Sequence, residues 1–189
     1  MIGDLRFEPT ERMVVEDRTD LLGTAALAVF NPTRSHRYLL TRRWDSGPAL
    51  VFVMLNPSTA DAFTDDPTIR RCVRFARRDG HGAIAVLNLY ALRATDPREL
   101  DTHPDPIGPD NDGFIRAITD DDTAGLVVAA WGAHTHARSR ANAVTRALRT
   151  RRTSLRCLGL TRDGSPRHPL YVHRTAPLLP YTTDCRGDR

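Results

Sequence analysis

Apolar and polar positions follow two rhythms along this chain. Short apolar runs bounded by turn residues recur at Thr24–Phe30, Arg37–Thr41, Leu50–Leu55 (LVFVML), Ala83–Leu87 (AIAVL), Leu126–Ala130 (LVVAA) and Leu155–Leu158. Each is too short for a helix and reads as a strand, with Asn31-Pro32-Thr33 and Asn56-Pro57 as turns. Between the later runs the period lengthens. Asp66-Pro67 is an N-cap followed by proline at the first helical position, and Ile69, Cys72, Val73 and Ala76 then recur at helical spacing. At about 100° per residue, Arg70, Arg71, Arg74, Arg77 and Arg78 fall on the opposite face. Gly80 and Gly82 close this helix. A short helix is predicted from Asp96-Pro97-Arg98-Glu99, where a cap, a proline and a capping-box glutamate coincide. Phe114, Ala117 and Ile118 mark the face of another helix, and Ala137, Ala141, Val144 and Leu148 that of a further one with arginines outside.

Strands alternating with helices predict right-handed βαβ units. The expected fold class is α/β, three layers α/β/α with a central, mainly parallel four-stranded sheet, preceded by an N-terminal β-hairpin. At 189 residues the chain suits a single domain. It divides into an N-terminal β extension over about 1–48, a core over about 49–171 and a tail over 172–189. Pro177 and Pro180 mark that tail as an extended strap.

Composition adds exclusions. No apolar run approaches the roughly 20 residues of a membrane span, and MIGDLRFEPTER does not read as a signal peptide. Cys72, Cys157 and Cys185 lie far apart with no CxxC pair, too few for a disulfide scaffold or a four-cysteine iron–sulfur site, so a reducing cytoplasm is the expected setting. The 27 basic residues are all arginine, against 23 acidic ones, for a net charge of +4. A GC-rich genome accounts for the absence of lysine. The balance permits a nucleic-acid partner without demanding one.

In parallel sheets the site lies at the carboxyl ends of the strands. Those ends carry Asn56-Pro57-Ser58-Thr59-Ala60-Asp61, then Asn88-Leu89-Tyr90-Ala91-Leu92-Arg93, then Trp131-Gly132-Ala133-His134, then Arg167-His168-Pro169-Leu170-Tyr171. Taken singly, Asn-Pro is ordinarily a turn, His-Pro a surface loop and a strand-end Trp part of the core. Four such sets converging on one rim suit a small-molecule or base pocket. His134-x-His136 lacks an evident third ligand, so no metal is assigned, and no cofactor is expected.

The order NP, LN, WG, HP resembles the uracil-DNA glycosylase superfamily over roughly residues 50–171. Met54-Leu55-Asn56-Pro57-Ser58 is similar to the first motif of its mismatch-specific and single-strand-selective branches, with both glycines missing. Val86-Leu87-Asn88-Leu89 resembles the stretch whose asparagine reads the base. Trp131-Gly132 resembles the motif after the third strand, and Arg167-His168-Pro169-Leu170 the histidine motif that steadies the departing base. The G-Q-D-P-Y-H motif of the uracil-specific branch is absent, and Leu170-Tyr171 stands where a serine and a wedge loop would follow. A closer likeness covers nearly the whole chain: RYLLTRRWD, LNPSTADA, DDPTIRRC, NLYALRATDP, GPDND, AWGAH and CLGLTRDGSPRHPLY resemble a bacterial and phage family labelled domain of unknown function 1643.

The superfamily resemblance implies a glycosylase-like fold and N-glycosidic bond cleavage, in which negative charge grows on the departing base. It implies that Asn56 positions water, that His168 donates to the leaving base and that Asn88 reads its edge. Asparagine cannot deprotonate water, and Asp61 is the preferred general base; Asp66 is better explained as the helix cap and Asp65 as solvated surface. Tyr90 or Phe63 would stack on the base, with Pro57, Ser58, Trp131 and His134 completing the pocket. Arg70, Arg74, Arg93 and Arg167 are candidates for phosphate contacts, against the alternative of a solvated helix face. The expected activity is a DNA glycosylase-like hydrolase acting on a uracil-related, damaged or modified base. The alternatives are an N-glycosidase or base-exchange transferase on a free nucleotide, and a non-catalytic modified-base reader. The expected partner is accordingly DNA, single-stranded or with a flipped base, or a free nucleotide, and the expected state is a monomer.

Overall fold

The computed structural model describes residues 8–58, 63–120, 124–135, 137–150 and 153–182. The strands are β1 (Val14–Thr19), β2 (Ala25–Phe30), β3 (Arg37–Arg43), β4 (Ala49–Met54), β5 (Ala83–Asn88), β6 (Ala124–Ala129), β7 (Leu155–Cys157) and β8 (Leu179–Pro180). The helices are α1 (Pro67–Arg78), α2 (Glu99–Thr102), α3 (Asn111–Thr119) and α4 (Ala137–Thr150).

All eight strands form one mixed sheet in the order β1-β2-β3-β5-β4-β6-β7-β8. Its centre, β5-β4-β6-β7, is parallel, and this is the four-stranded core the apolar runs predict. The N-terminal part differs from expectation. It is no separate hairpin: β3 pairs antiparallel with β5 and so joins β1 and β2 to the same sheet. β1 (VVEDRT) escapes the sequence reading because it is a mostly exposed edge strand with little apolar signal. At the other edge, β8 pairs antiparallel with β7, so part of the predicted strap is a strand.

Alternation along the central strands sends side chains to two cores. Leu50, Phe52, Ile84 and Val86 pack with Ile69, Cys72 and Phe75 of α1 on one face. Val51, Val53, Ala85 and Leu87 pack with Phe114 and Ile118 of α3 and Val144 and Leu148 of α4 on the other. The helix α1 begins as predicted, with Asp66 accepting from Ile69 N at 2.7 Å and proline at its first position. Its arginine face is only partly solvated. Arg71 donates to the carbonyls of Pro169 and Val172, and Arg78 to those of Arg174 and Ala176, so this helix holds the segment 169–176 against the body. Among the described residues no helix is long and apolar enough to cross a membrane.

Candidate functional site

A cavity of about 550 Å³ opens at the carboxyl end of the parallel strands. The turn after β4 supplies Asn56 and Ser58, the loop after β5 Ala94 and Thr95, the turn after β6 Trp131 to His134, and the segment after β7 Thr161, Arg167, His168 and Tyr171. Arg37 of β3, Asp66, Thr68 and Ile69 from the start of α1, and the apolar Met54, Leu55 and Pro97 also line it. The size falls within the usual range for small-molecule sites.

Backbone geometry explains how these turns meet. Asn56 Nδ2 donates to the carbonyls of Ala94 (2.9 Å) and Pro57 (3.1 Å), while Ala94 N donates to Pro57 O. The Asn56 amide nitrogen therefore clamps the β4 turn to the β5 loop, and its Oδ1 is left as the group available to the cavity. Gly132 takes φ of +77° and its N–H donates to Pro166 O at 2.9 Å. A Cβ there would stand 3.7 Å from His168 Cβ, so the WG turn and the HP segment lie side by side.

His168 caps the 3-10 turn Pro169–Tyr171, and its Nδ1 accepts from Leu170 N at 3.3 Å. An accepting Nδ1 carries no proton, which places the proton of the neutral ring on Nε2. Burial holds the imidazole below its ordinary pKa, against a smaller opposing effect of Asp66. The ring is thus a neutral Nε2–H donor. Tyr171, 78% exposed, stands at the rim with its ring 5.7 Å from that of His168.

Asp66 does more than the capping assigned to it. It lines the cavity, with Oδ2 accepting from Ser58 Oγ at 3.0 Å as Oδ1 caps α1. Asp65, expected to be plain surface, is the ion-pair partner of buried Arg42, at 2.8 Å. Asp61, the preferred general base, lies outside the described residues, as do His136 and Cys185.

Other expected contacts are not brought to the cavity. Asn88 is 1% exposed and faces the α1 layer by alternation, beside Met54 in register, without reaching the lining. Neither atom of its amide has a hydrogen-bond partner. Tyr90 is buried in the core on the α3–α4 side. Phe63 packs against Ala28 and Phe30 beneath the Arg18 guanidinium. Pro57 is buried and contributes its carbonyl to the Asn56 clamp. Trp131 reaches the cavity but is mostly core, edge-on to Tyr181. Of the candidate phosphate contacts, Arg167 lines the cavity. Arg93 is held by the Arg34 carbonyl and Phe30, Arg70 by the Asp65 carbonyl, and Arg74 is exposed on α1.

The residue missed altogether is Arg37, a buried cation on the cavity wall. A charged residue opening an apolar strand run, Arg37-Tyr38-Leu39-Leu40, is the signal that was available for it.

No curated protein and no solved structure matches this chain. The pattern of the family described as "Protein of unknown function (DUF1643)" matches residues 37–170, from Arg37 of the cavity wall to the turn after His168, and the chain belongs to that family.

Proposed function

We propose that this chain hydrolyses the N-glycosidic bond of a nucleotide, in the manner of a DNA glycosylase acting on a uracil-related, damaged or modified base. The observation that carries the reading is the presence in one cavity of Asn56 with an available Oδ1 and of His168 as a neutral Nε2–H donor. The order of the strand-end motifs, similar to the uracil-DNA glycosylase superfamily, supports the same chemistry. Water held by Asn56 Oδ1 would attack the sugar C1′ as the C1′–N bond breaks. A new C1′–OH forms, the base leaves with the bonding electron pair, and the water proton passes to the base or to solvent. His168 Nε2–H donates to the base oxygen or nitrogen where negative charge grows, which is the electrostatic stabilisation such a step requires. Among the described residues that line the cavity Asp66 is the one carboxylate, and its oxygens already accept from Ser58 Oγ and Ile69 N, while Asp65 pairs with Arg42.

A second reading, the same cleavage on a free nucleotide, is favoured by the arginines of α1. Arg71 and Arg78 are spent on the chain's own carbonyls, which weakens a phosphate-tracking surface there. Both readings are tested by incubating the protein with single- and double-stranded oligonucleotides bearing uracil, hydroxymethyluracil, xanthine or hypoxanthine, and with the corresponding mononucleotides. Abasic-site cleavage and free-base release are the readouts. Release that disappears in Asn56→Ala and His168→Ala upholds the chemistry, and the substrate class chooses between the readings. Absence of release from every substrate overturns both.

A further inference from the structure

We propose that Arg37 binds a phosphoryl group of the ligand, so that the cavity recognises a nucleotide through its phosphate as well as its base. The proposal deepens the nucleotide reading above and rests on it for the identity of the anion.

Arg37 is 3% exposed, yet it lines the cavity. Its Nε has no hydrogen-bond partner, and no ion pair reaches its guanidinium among the described residues. Burying a charge without a partner is costly, so such groups are ordinarily paired or else held for a ligand. The same strand provides the comparison. Arg42 is equally buried but donates to Asp65 at 2.8 Å and to the Thr41 carbonyl at 2.8 Å. The carboxylate nearest in influence to Arg37 is Asp66, whose two oxygens already accept from Ile69 N and Ser58 Oγ.

The surroundings raise the positive potential further. Burial, and next the neighbouring charge of Arg93, lower the Arg37 pKa to about 10, with Asp66 opposing and Arg42 adding a little. The group therefore stays cationic at neutral pH. Arg167 adds a second positive charge to the lining, and His168 is neutral. One carboxylate, Asp66, faces two guanidinium groups. The first turn of α1 reaches the same wall through Thr68, where the helix dipole also favours an anion, although the Asp66 cap offsets part of it.

A guanidinium fork matches two oxygens of a phosphoryl group, and charge-assisted bonds of this kind are the strong ones. The rival use, donation to base acceptors such as guanine O6 and N7, has the same donors and a different dependence on the ligand. A nucleoside and its phosphate therefore separate the two.

The test uses the whole chain and four kinds of probe measured by calorimetry: deoxyuridine and the four common deoxynucleosides, their 5′-monophosphates, a short single-stranded oligonucleotide, and inorganic phosphate. The wild type is expected to bind a monophosphate or the oligonucleotide about 10- to 100-fold more tightly than the matching nucleoside. Arg37→Met should abolish that gain and leave nucleoside affinity unchanged. Arg37→Lys, which keeps the charge, should recover part of it. A gain confined to monophosphates identifies a free nucleotide; a gain shared with the oligonucleotide identifies a phosphodiester of DNA. Equal loss of nucleoside and monophosphate binding in Arg37→Met overturns the proposal in favour of base reading, and wild-type binding indifferent to phosphate overturns it outright. Inorganic phosphate distinguishes this failure from failure of the hydrolase reading. Arg37-dependent phosphate binding without base release keeps the anion site and removes the hydrolase, whereas base release indifferent to Arg37→Met does the reverse.

Discussion

Arg37 and Arg42 stand five positions apart on β3, each 3% exposed, and truncation should destabilise the fold at Arg42 but not at Arg37. Removing one partner of a buried ion pair typically costs about 3–5 kcal/mol, because the other charge is left behind. The Asp65 side chain is 32% exposed and can rehydrate, so Arg42→Met is expected to lose about 1–3 kcal/mol. Arg37→Met strands no carboxylate. Replacing an uncompensated buried charge by an apolar side chain is neutral to stabilising, here about 0–2 kcal/mol in favour of the variant. A chain of this size shifts its Tm by about 2–4 °C per kcal/mol. Calorimetric melts at neutral pH in an anion-poor buffer should therefore place Arg42→Met several degrees below the wild type and Arg37→Met at or above it. Added phosphate should raise the wild-type Tm and leave that of Arg37→Met unmoved, since only a ligand bound to the native state stabilises it. Arg37→Met melting as low as Arg42→Met would refute the reasoning, because it would mean that Arg37 is already satisfied within the fold.

Asp66→Ala removes the α1 cap and the acceptor of Ser58, and should cost about 1–2 kcal/mol in urea unfolding, whereas Asp66→Asn, an equivalent cap, should cost under about 0.5; equal losses would contradict the capping role. Burial holds the His168 pKa below its ordinary 6.5, so the unfolded chain binds a proton that the native one resists, and this part of the stability falls away as pH drops below 6.5. The wild type should accordingly lose more Tm than His168→Asn between about pH 7.5 and about pH 5, and a smaller loss would oppose it. A Cβ on Gly82 would lie 2.5 Å from Gly47 N and 2.7 Å from Asp45 O, both backbone atoms, so Gly82→Ala should destabilise by about 1–3 kcal/mol or more, and an unchanged melt would show that the entry to β5 can yield.

Much of the fold was legible in the chain because burial imposes short-range periodicity. The runs LVFVML and AIAVL lie between two helix layers and must be apolar at every position, which marks them as central parallel strands. Asp66-Pro67 fixes the start of α1 by local chemistry alone. The polar strand ends, with Asn56, His134 and His168 among them, pointed to the rim where the cavity lies. VVEDRT carried no such mark, since an edge strand exposes most of its side chains, and its place in the sheet depends on pairing with β2.

Within the site, the sequence by itself determined which residue types stand after each strand, and that Asn56 and His168 belong to the same rim at the carboxyl ends of the strands. Tertiary structure alone decided which of them face the cavity. Asn88 follows Leu87 into the sheet and falls on the α1 face by strand alternation, away from the lining, while Tyr90 turns into the opposite core. Asp65 and Asp66, adjacent in sequence, separate into the partner of Arg42 and the cap of α1. Arg37 reaches the cavity because β3 joins the sheet through β5, a pairing between residues far apart in the chain that no local pattern encodes. Whether a buried guanidinium is satisfied depends on which distant carboxylates the fold brings to it. For Arg42 the fold brings one; for Arg37 it leaves an open cavity.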